Sequence, residues 1–386
     1  MESDFRPARR TAAGKAVRAM SWILAGILGL LAMLAAALLL MSPGRVEPYL
    51  DGDGKPLAGS VSEKLWVDIG GVRQGMFLRG RSKDNPALLF LHGGPGMPEY
   101  FLAEKKNAAL EDKFTVCYWE QRGAGLSYQD GMSGAGITAD SLVDDAIEVS
   151  RYLSKRFGQE KIYLMAHSWG TFLGIQAAAK APELYHAYIG VAQIVDTPTS
   201  ERLAYARMLE LFEAKGNQGM VQKLMAWDVL KTQPDAALIP YFKSMLRDEA
   251  MHALGVGTAR DMDSVVTGIF IPSLLSRAYT LSEKINIWRA KAFLRDRTNL
   301  LETLFTTRMW DAVPELSVPT YILFGKYDLT VNPGLAKAYL DALKAPLKAF
   351  YTFENSAHSP MFEEPERFLE IMTQDVLAGK AALADR

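Results

Sequence analysis

The stretch KIYLMAHSWG, residues 161–170, decides the fold. An apolar run typical of a buried strand ends just before Ser168, and a helical pattern begins just after it. A serine on so sharp a strand-to-helix turn has an exposed hydroxyl, which a base can reach, and the next backbone N–H can face a developing oxyanion. Small residues two positions before and after the serine relieve crowding in such a turn, and here they are Ala166 and Gly170. The stretch therefore predicts a nucleophilic Ser168.

Further apolar runs and helical patterns alternate on both sides of this turn. The strands are predicted at 65–69, around Met76, and at 87–93, 114–120, 161–167, 187–193, 319–325 and 345–353, and the helices at 140–156, 169–181, 335–343 and from Pro365. The first two strands read as an antiparallel pair, whereas strands that alternate with helices form a parallel sheet covered on both faces. Between 198 and 313 the patterns are helical only, over a length too great for a loop.

These patterns predict the α/β class, specifically the α/β-hydrolase fold. We expect a mostly parallel central sheet with an inserted helical cap, preceded by one N-terminal transmembrane helix. The predicted domains are a cytoplasmic basic tail at 1–18, the transmembrane helix at 19–42, a linker at 43–60, the α/β-hydrolase core at 61–197 and 314–380, and the cap at 198–313.

The membrane helix is predicted from residues 22–41, WILAGILGLLAMLAAALLLM, which carry no charge. At about 1.5 Å per residue this run crosses a hydrocarbon core of about 30 Å. The basic residues before it are Arg6, Arg9, Arg10, Lys15 and Arg18, whereas after it Glu47, Asp51 and Asp53 are opposed by Arg45 and Lys55. The positive-inside rule then places the N-terminus in the cytoplasm and the catalytic domain outside. A cleaved signal peptide and a buried core helix are the alternatives.

Composition excludes several other classes of protein. Of 386 residues, 49% are apolar and 23% are charged, as in a globular enzyme. The formal net charge of −1 does not favour nucleic acid as a partner. Cys117 is the only cysteine, which excludes an intramolecular disulfide and disfavours structural zinc. We therefore predict no cofactor and no metal, and the expected partners are a small-molecule or short-peptide substrate and the membrane.

A serine nucleophile needs a base, and the chain has five histidines: His92, His167, His186, His252 and His358. The first lies in a glycine loop, the second adjoins the serine, the third precedes an early strand and the fourth falls in the insertion. His358 follows the last predicted strand, where the order serine, acid, histidine requires the base. The alternative is a buried structural histidine.

Asp328 is the predicted acid of the triad. It follows the predicted strand 319–325 in the run FGKYDLTVNP and precedes His358 by one helix and one strand. An acid at this place holds the imidazole tautomer and stabilises the imidazolium. An aspartate that only caps its turn is the alternative.

The second oxyanion donor is expected in the glycine-rich loop LHGGPG, residues 91–96. The backbone N–H groups of Gly94 and Trp169 are the predicted pair. The glycines of this loop are equally compatible with a plain tight turn that needs a positive φ.

Five motifs together resemble the proline iminopeptidase family of α/β-hydrolases: HGGPG at 92–96, WEQRGAGLS at 119–127, HSWG at 167–170, GKYD at 325–328 and AHSP at 357–360. The resemblance covers about residues 65–377. It implies a helical cap over the active site, a cis peptide before Pro95, and removal of an N-terminal residue, often proline, without metal or cofactor. Glu120 departs from the family's usual aspartate, and Ala166 departs from its usual glycine.

The resemblance also implies acidic cap residues that pair with the substrate's α-ammonium. Glu201, Glu210 and Glu213 lie in a suitable stretch, although a charged helix face more often only meets water. The predicted function is thus a serine hydrolase of the proline iminopeptidase type. An esterase or lipase-like hydrolase at the membrane is the first alternative, and a catalytically silent binding module is the second.

Overall fold

An eight-stranded sheet forms the centre of the computed structural model, which describes residues 12–385. The strand order is β1-β2-β4-β3-β5-β6-β7-β8; β1 pairs antiparallel with β2 and β2 with β4, and every later pair is parallel. The strands are β1 Val61–Ile69, β2 Val72–Gly80, β3 Ala87–Leu91, β4 Thr115–Trp119, β5 Ile162–His167, β6 Tyr185–Val191, β7 Thr320–Gly325 and β8 Lys348–Phe353. The predicted fold class is confirmed.

Strands β3, β4, β5 and β7 are buried along their whole length because helices cover both faces of the sheet. These core helices are α2 Tyr100–Lys106, α3 Ala139–Phe157, α4 Trp169–Lys180, α13 Pro333–Ala342, α14 Pro360–Glu363 and α15 Pro365–Ile371. Local signals set their ends: a capping box of Thr138 and Ser141 begins α3, and Gly158, with a φ of 64°, ends it. The predicted strand 187–193 was displaced by two residues, since β6 begins at Tyr185 and the chain leaves the sheet at Ala192, whose φ is 54°.

Between β6 and β7 the described chain contains helices and no strand. These helices are α5 Thr197–Ala214, α6 Gln218–Met225, α7 Ile239–Phe242, α8 Met245–Leu254, α9 Ile271–Leu275, α10 Leu281–Arg297, α11 Leu300–Thr306 and α12 Met309–Ala312. Two backbone hydrogen bonds hold this insertion over the carboxyl ends of the last strands, from Leu329 to Val256 at 3.0 Å and from His358 to Gly257 at 3.2 Å. We call residues 197–312 the cap; the predicted domain boundaries themselves stay a prediction.

Helix α1, Ala12–Leu40, precedes the sheet domain. It begins earlier than the predicted span at residue 19, and residues 1–11 of the predicted basic tail lie outside the described residues. Its part Ala16–Leu40 is long and apolar enough to cross a membrane, and none of it is buried against the described protein. A membrane span and a signal sequence both have this character.

Candidate active site

Ser168 occupies the turn between β5 and α4. Its φ of 51° and ψ of −121° are rare for a residue with a side chain and carry a cost of about 1–3 kcal/mol. Neighbouring contacts maintain the strained turn: the Ser168 N–H donates to Val191 O at 2.9 Å, and its carbonyl accepts from the Thr171 N–H at 2.8 Å. A strained serine at a strand-to-helix turn is the arrangement that exposes a nucleophilic hydroxyl.

Glycine is required beside this turn because the chain passes close to β3. A Cβ at Gly170 would lie 2.2 Å from the carbonyl oxygen of Leu91. At Ala166, where the family usually has glycine, the extra methyl has room because position 174 is a glycine: a Cβ at Gly174 would lie 3.0 Å from that of Ala166. The departure at Ala166 is therefore accommodated within the first turns of α4.

His358 and Asp328 are brought together by the loops after β8 and β7. Nδ1 of His358 lies 2.9 Å from Oδ2 of Asp328, and both side chains are buried. The other carboxylate oxygen, Oδ1, accepts from the N–H groups of Thr330 and Val331 at 2.8 and 2.9 Å. The carboxylate is thus fixed by two backbone donors and holds the proton of His358 on Nδ1, which leaves Nε2 as the free basic atom.

Both predicted oxyanion donors lie near Ser168: Gly94 lines the same cavities, and Trp169 follows it in the chain. Gly94 has a φ of 126°, and a Cβ there would lie 2.3 Å from the N–H of Gly96, so no side chain fits. Among residues 12–385, the N–H groups of Gly94 and Trp169 have no hydrogen-bond acceptor. The peptide bond before Pro95 is cis, as the resemblance implied.

Gln121 connects three parts of the site, and sequence reasoning gave it no role. It donates from its backbone N–H to Nε2 of His92 at 3.1 Å and from its side chain to the carbonyl of His92 at 2.9 Å, and its Oε1 accepts from the indole N–H of Trp169 at 3.0 Å. Burial lowers the pKa of His92 to about 4, so this ring is a neutral acceptor near neutral pH. The glutamine of the QRG run therefore fixes the glycine loop to the start of α4.

Glu99 and His167 form a second buried pair beside the nucleophile. Oε1 of Glu99 accepts from the Gly93 N–H at 3.0 Å and lies 2.8 Å from Nδ1 of His167. Nε2 of His167 lies 3.0 Å from the carbonyl of His358, which can only accept, so Nε2 carries a proton. Burial lowers the pKa of His167, but Glu99, the carbonyl of His358 and Asp328 together raise it, and the net shift is upward. Each ring nitrogen therefore lies against an oxygen that can accept a hydrogen bond.

The second oxygen of Glu99 has no hydrogen-bond partner within the described chain. Oε2 is buried, and no donor reaches it among residues 12–385. The side chain lines a cavity of about 250 Å³ that Ser168, Gly94 and His358 also line. A methyl group on Gly93 would lie 2.9 Å from Oε1 of Glu99 and 3.3 Å from Cβ of Ser168, so carboxylate and nucleophile flank the same glycine.

The three acidic residues singled out in the cap do not line the described cavities at Ser168. Glu201 is buried and forms two hydrogen bonds with the guanidinium of Arg247, one of them 2.7 Å long. Glu210 is exposed and pairs with Arg207, and Glu213 is exposed. The carboxylate of Glu201 is thus already neutralised inside the cap.

A second, smaller cavity of about 70 Å³ reaches Ser168 from the side of β6 and the cap. Its lining is mostly apolar: Ile194, Val195, Phe242, Leu304, Val331 and Leu335. Gly94 and Ser168 line both cavities, so the hydroxyl lies where they meet. The larger cavity carries most of the charged groups, among them Glu99 and Lys291, whereas the smaller one has Asp196.

The chain matches the family model of the alpha/beta hydrolase fold over residues 86–365. It is similar to the protein named probable aminopeptidase YbaC of Bacillus subtilis (strain 168), with 30% identity over 321 residues that make up 83% of this chain and 98% of that protein. It is also similar to the proline iminopeptidase of Saccharolobus solfataricus, with 26% identity over 75% of this chain and 84% of that protein. The crystal structure of proline iminopeptidase from Mycobacterium smegmatis superposes with a TM-score of 0.58 at 16% identity, over 82% of this chain and 98% of that chain, which is a likeness of fold.

Proposed function

The chain belongs to the proline iminopeptidase family of α/β-hydrolases, and on that premise we propose that it is a serine aminopeptidase. Membership of the alpha/beta hydrolase family identifies the chain as a hydrolase. The observation that carries the serine mechanism is that His358, which lies 2.9 Å from Asp328, lines the same cavity as the strained Ser168.

In the proposed reaction Ser168 Oγ attacks the carbonyl carbon of the substrate, and Nε2 of His358 takes the hydroxyl proton. Asp328 keeps the other ring nitrogen protonated and stabilises the imidazolium. The N–H groups of Gly94 and Trp169 bind the oxyanion. His358 then passes its proton to the leaving nitrogen, the C–N bond breaks, and water releases the acyl-enzyme by the same steps in reverse.

For the substrate's α-ammonium we propose Glu99 instead of Glu201. Glu201 does not line the cavity of the nucleophile, and both of its oxygens bond Arg247. Glu99 lines that cavity, and although its Oε1 contacts His167, its Oε2 has no partner among the described residues. A buried carboxylate oxygen gains most from a charged donor. A peptide's amino group is two bonds from the carbonyl carbon that Ser168 attacks, so the acceptor must lie beside the nucleophile, as Glu99 does.

We also propose that α1 anchors the chain in a membrane, with the N-terminus in the cytoplasm. Its apolar length and the basic residues before it support this orientation. Membrane fractions washed at alkaline pH test the anchor, because a spanning helix stays in the pellet. Release of the full-length chain into the wash would contradict it.

An esterase or lipase-like activity is the second candidate, and the apolar cavity beside Ser168 favours it because an acyl chain would fit there. Comparison of a prolyl anilide with a short-chain aryl ester separates the two functions. We expect higher kcat/KM on the anilide, and a preference for the ester would support the alternative.

Labelling with a fluorophosphonate probe tests the serine mechanism itself. We expect the folded protein to be labelled and to lose labelling in Ser168→Ala, with activity falling by about 10³-fold or more. Ser133→Ala is the control, because Ser133 is an exposed serine far along the chain from the turn. A folded wild-type protein that does not label would favour the silent binding module.

A further inference from the structure

The cap carries an unusual concentration of exposed apolar side chains in the segment Val266–Leu275. Val266 is 57% exposed, Phe270 37%, Ile271 42% and Leu275 40%. Val266 and Phe270 are four residues apart, as are Ile271 and Leu275, and the wider π-helical turn brings these two pairs to one side of the segment. We call these four residues the apolar ridge. Contiguous exposed apolar groups of this kind mark an interaction surface.

The opposite side of the segment belongs to the active site. Ile269 is buried and lines the larger cavity at Ser168, and Ser273 is buried beneath the ridge. Trp288 packs edge-on against Phe270 with ring centroids 5.2 Å apart, and its indole N–H donates to Ser273 Oγ at 3.1 Å. The segment is therefore a thin wall between the cavity and the outside.

Hydrogen bonds fix the end of α1 to this wall. The ammonium of Lys284 donates to the carbonyl of Leu274 at 2.7 Å, within the segment, and to the carbonyl of Met41 at 2.9 Å and Ser42 Oγ at 2.8 Å, directly after α1. Lys284 itself is fully buried. One side chain thus joins the residues directly after α1 to the ridge segment.

A second connection lies just beyond it. The N–H groups of Gly44 and Arg45 donate to the carbonyl of Arg277 at 3.2 and 3.3 Å, and Pro43 forms a β-bridge with Thr280. The residues that leave α1 are therefore bound to the chain that leaves the ridge. The carboxyl end of α1 cannot move away from the ridge unless these bonds break.

Since α1 is apolar over Ala16–Leu40 and ends at Leu40, its end marks the surface of the bilayer it would cross. We propose that the apolar ridge lies in the interfacial layer of that same bilayer, so that the cap rests on the membrane. The proposal rests on the membrane anchor proposed above. The occupant of the ridge is lipid, because the ridge is contiguous with a helix suited to lipid and Trp288, a residue type favoured at bilayer interfaces, supports it from behind.

Nitroxide labels on the full-length chain test this contact. Ile271→Cys places the label on the ridge, and Met245→Cys is the matched control, since Met245 is another apolar cap residue, 88% exposed, on a different helix. Leu31→Cys in α1 reports whether the anchor is in the bilayer. Cys117 is buried and stays unlabelled. The proteins are reconstituted in vesicles of phosphatidylcholine with phosphatidylglycerol, and power saturation compares collisions with oxygen and with a water-soluble nickel chelate.

We expect the Ile271 label to favour oxygen, as the Leu31 label does, and the Met245 label to favour nickel. An Ile271 label that behaves like the Met245 label while Leu31 favours oxygen would overturn the contact and leave the anchor standing. A Leu31 label that favours nickel would overturn the anchor and the contact together. A second ridge label, Val266→Cys, guards against a local effect at Ile271, because both must report lipid.

Discussion

Oε1 of Glu99 lies 2.8 Å from Nδ1 of His167, the residue directly before the proposed nucleophile. Through its other ring nitrogen, His167 binds the carbonyl of His358, the proposed base. One carboxylate thus supports the loop that carries the base with one oxygen and leaves its second oxygen without a partner in the described chain. Support and substrate recognition can therefore be separated by experiment.

Replacement of Glu99 by glutamine removes the charge and keeps the shape. We expect kcat/KM for a prolyl anilide to fall more than that for the cyclopentanecarbonyl anilide, in which carbon replaces the ring nitrogen. The ratio between the two substrates should drop by about 10- to 100-fold, the equivalent of a charged hydrogen bond of about 1.5–3 kcal/mol. Steady-state kinetics on both anilides measure it.

The ratio separates the two roles of Glu99, because a purely supporting carboxylate would slow both substrates equally. Glu210→Gln is the control and should leave the ratio unchanged, since Glu210 is an exposed residue paired with Arg207. A ratio unaltered in Glu99→Gln would reject Glu99 as the amine acceptor. The serine mechanism would remain intact in that case.

Glu201→Ala tests the carboxylate that the sequence singled out in the cap. The change leaves the buried guanidinium of Arg247 without its main partner, so we expect the free energy of unfolding to fall by about 3–5 kcal/mol. Chemical denaturation measures this loss, and Glu210→Ala should cost about 0–1 kcal/mol because its ion pair is exposed. A stable Glu201→Ala protein with a reduced substrate ratio would return the amine-binding role to Glu201.

The sequence predicted the parts of the site that follow from strand order. Ser168, Asp328 and His358 each follow a recognisable strand, and parallel strands place their carboxyl ends at one edge of the sheet. That rule is enough to bring distant residues together. It also located the glycine loop after β3, where Gly94 lies.

Strand order does not predict the contacts between side chains of different helices and loops. The pairing of Glu201 with Arg247 depends on how α5 and α8 pack, and no periodicity in one helix specifies its partner. The sequence assigned no role to Glu99 or Gln121, because their partners lie in other loops. Only the buried position of each, which the sequence does not reveal, distinguishes them from solvated residues.

Asp328→Asn should leave the fold intact and reduce kcat by about 10⁴-fold. An amide N–H in place of Oδ2 cannot accept from Nδ1 of His358, so the ring would adopt the wrong tautomer and Nε2 could not take the serine proton. Active-site labelling rates and kcat on the preferred substrate measure the effect. The exposed Asp341, changed to asparagine, is the control. Near wild-type turnover in Asp328→Asn would mean that His358 is not held by this carboxylate during catalysis.

Glu120 gives the protein a pH dependence of stability that can be tested without a substrate. The side chain is buried, accepts from the Leu126 N–H at 2.5 Å and contacts the hydroxyl of Tyr279, and burial raises its pKa to about 8. In the unfolded chain a glutamate has a pKa of about 4.3, so between these values the folded state binds the extra proton. The free energy of unfolding therefore falls as the pH rises from about 4.3 to about 8. Below this range Glu120 is protonated in both the folded and the unfolded chain, so it causes no change in stability with pH.

Glu120→Gln removes the ionisation and keeps the acceptor oxygen. We expect the melting temperature of Glu120→Gln to rise relative to that of the wild type as the pH increases from about 5 to about 8. Only the wild type loses stability over this range, because its folded state must either keep Glu120 protonated or ionise it in the core. Glu315→Gln, at an exposed position, should follow the wild-type curve throughout. If the melting temperatures of Glu120→Gln and the wild type change in parallel with pH, Glu120 has the same protonation in the folded and the unfolded chain. The hydrogen bond from Tyr279 would then stabilise the ionised carboxylate enough to offset its burial.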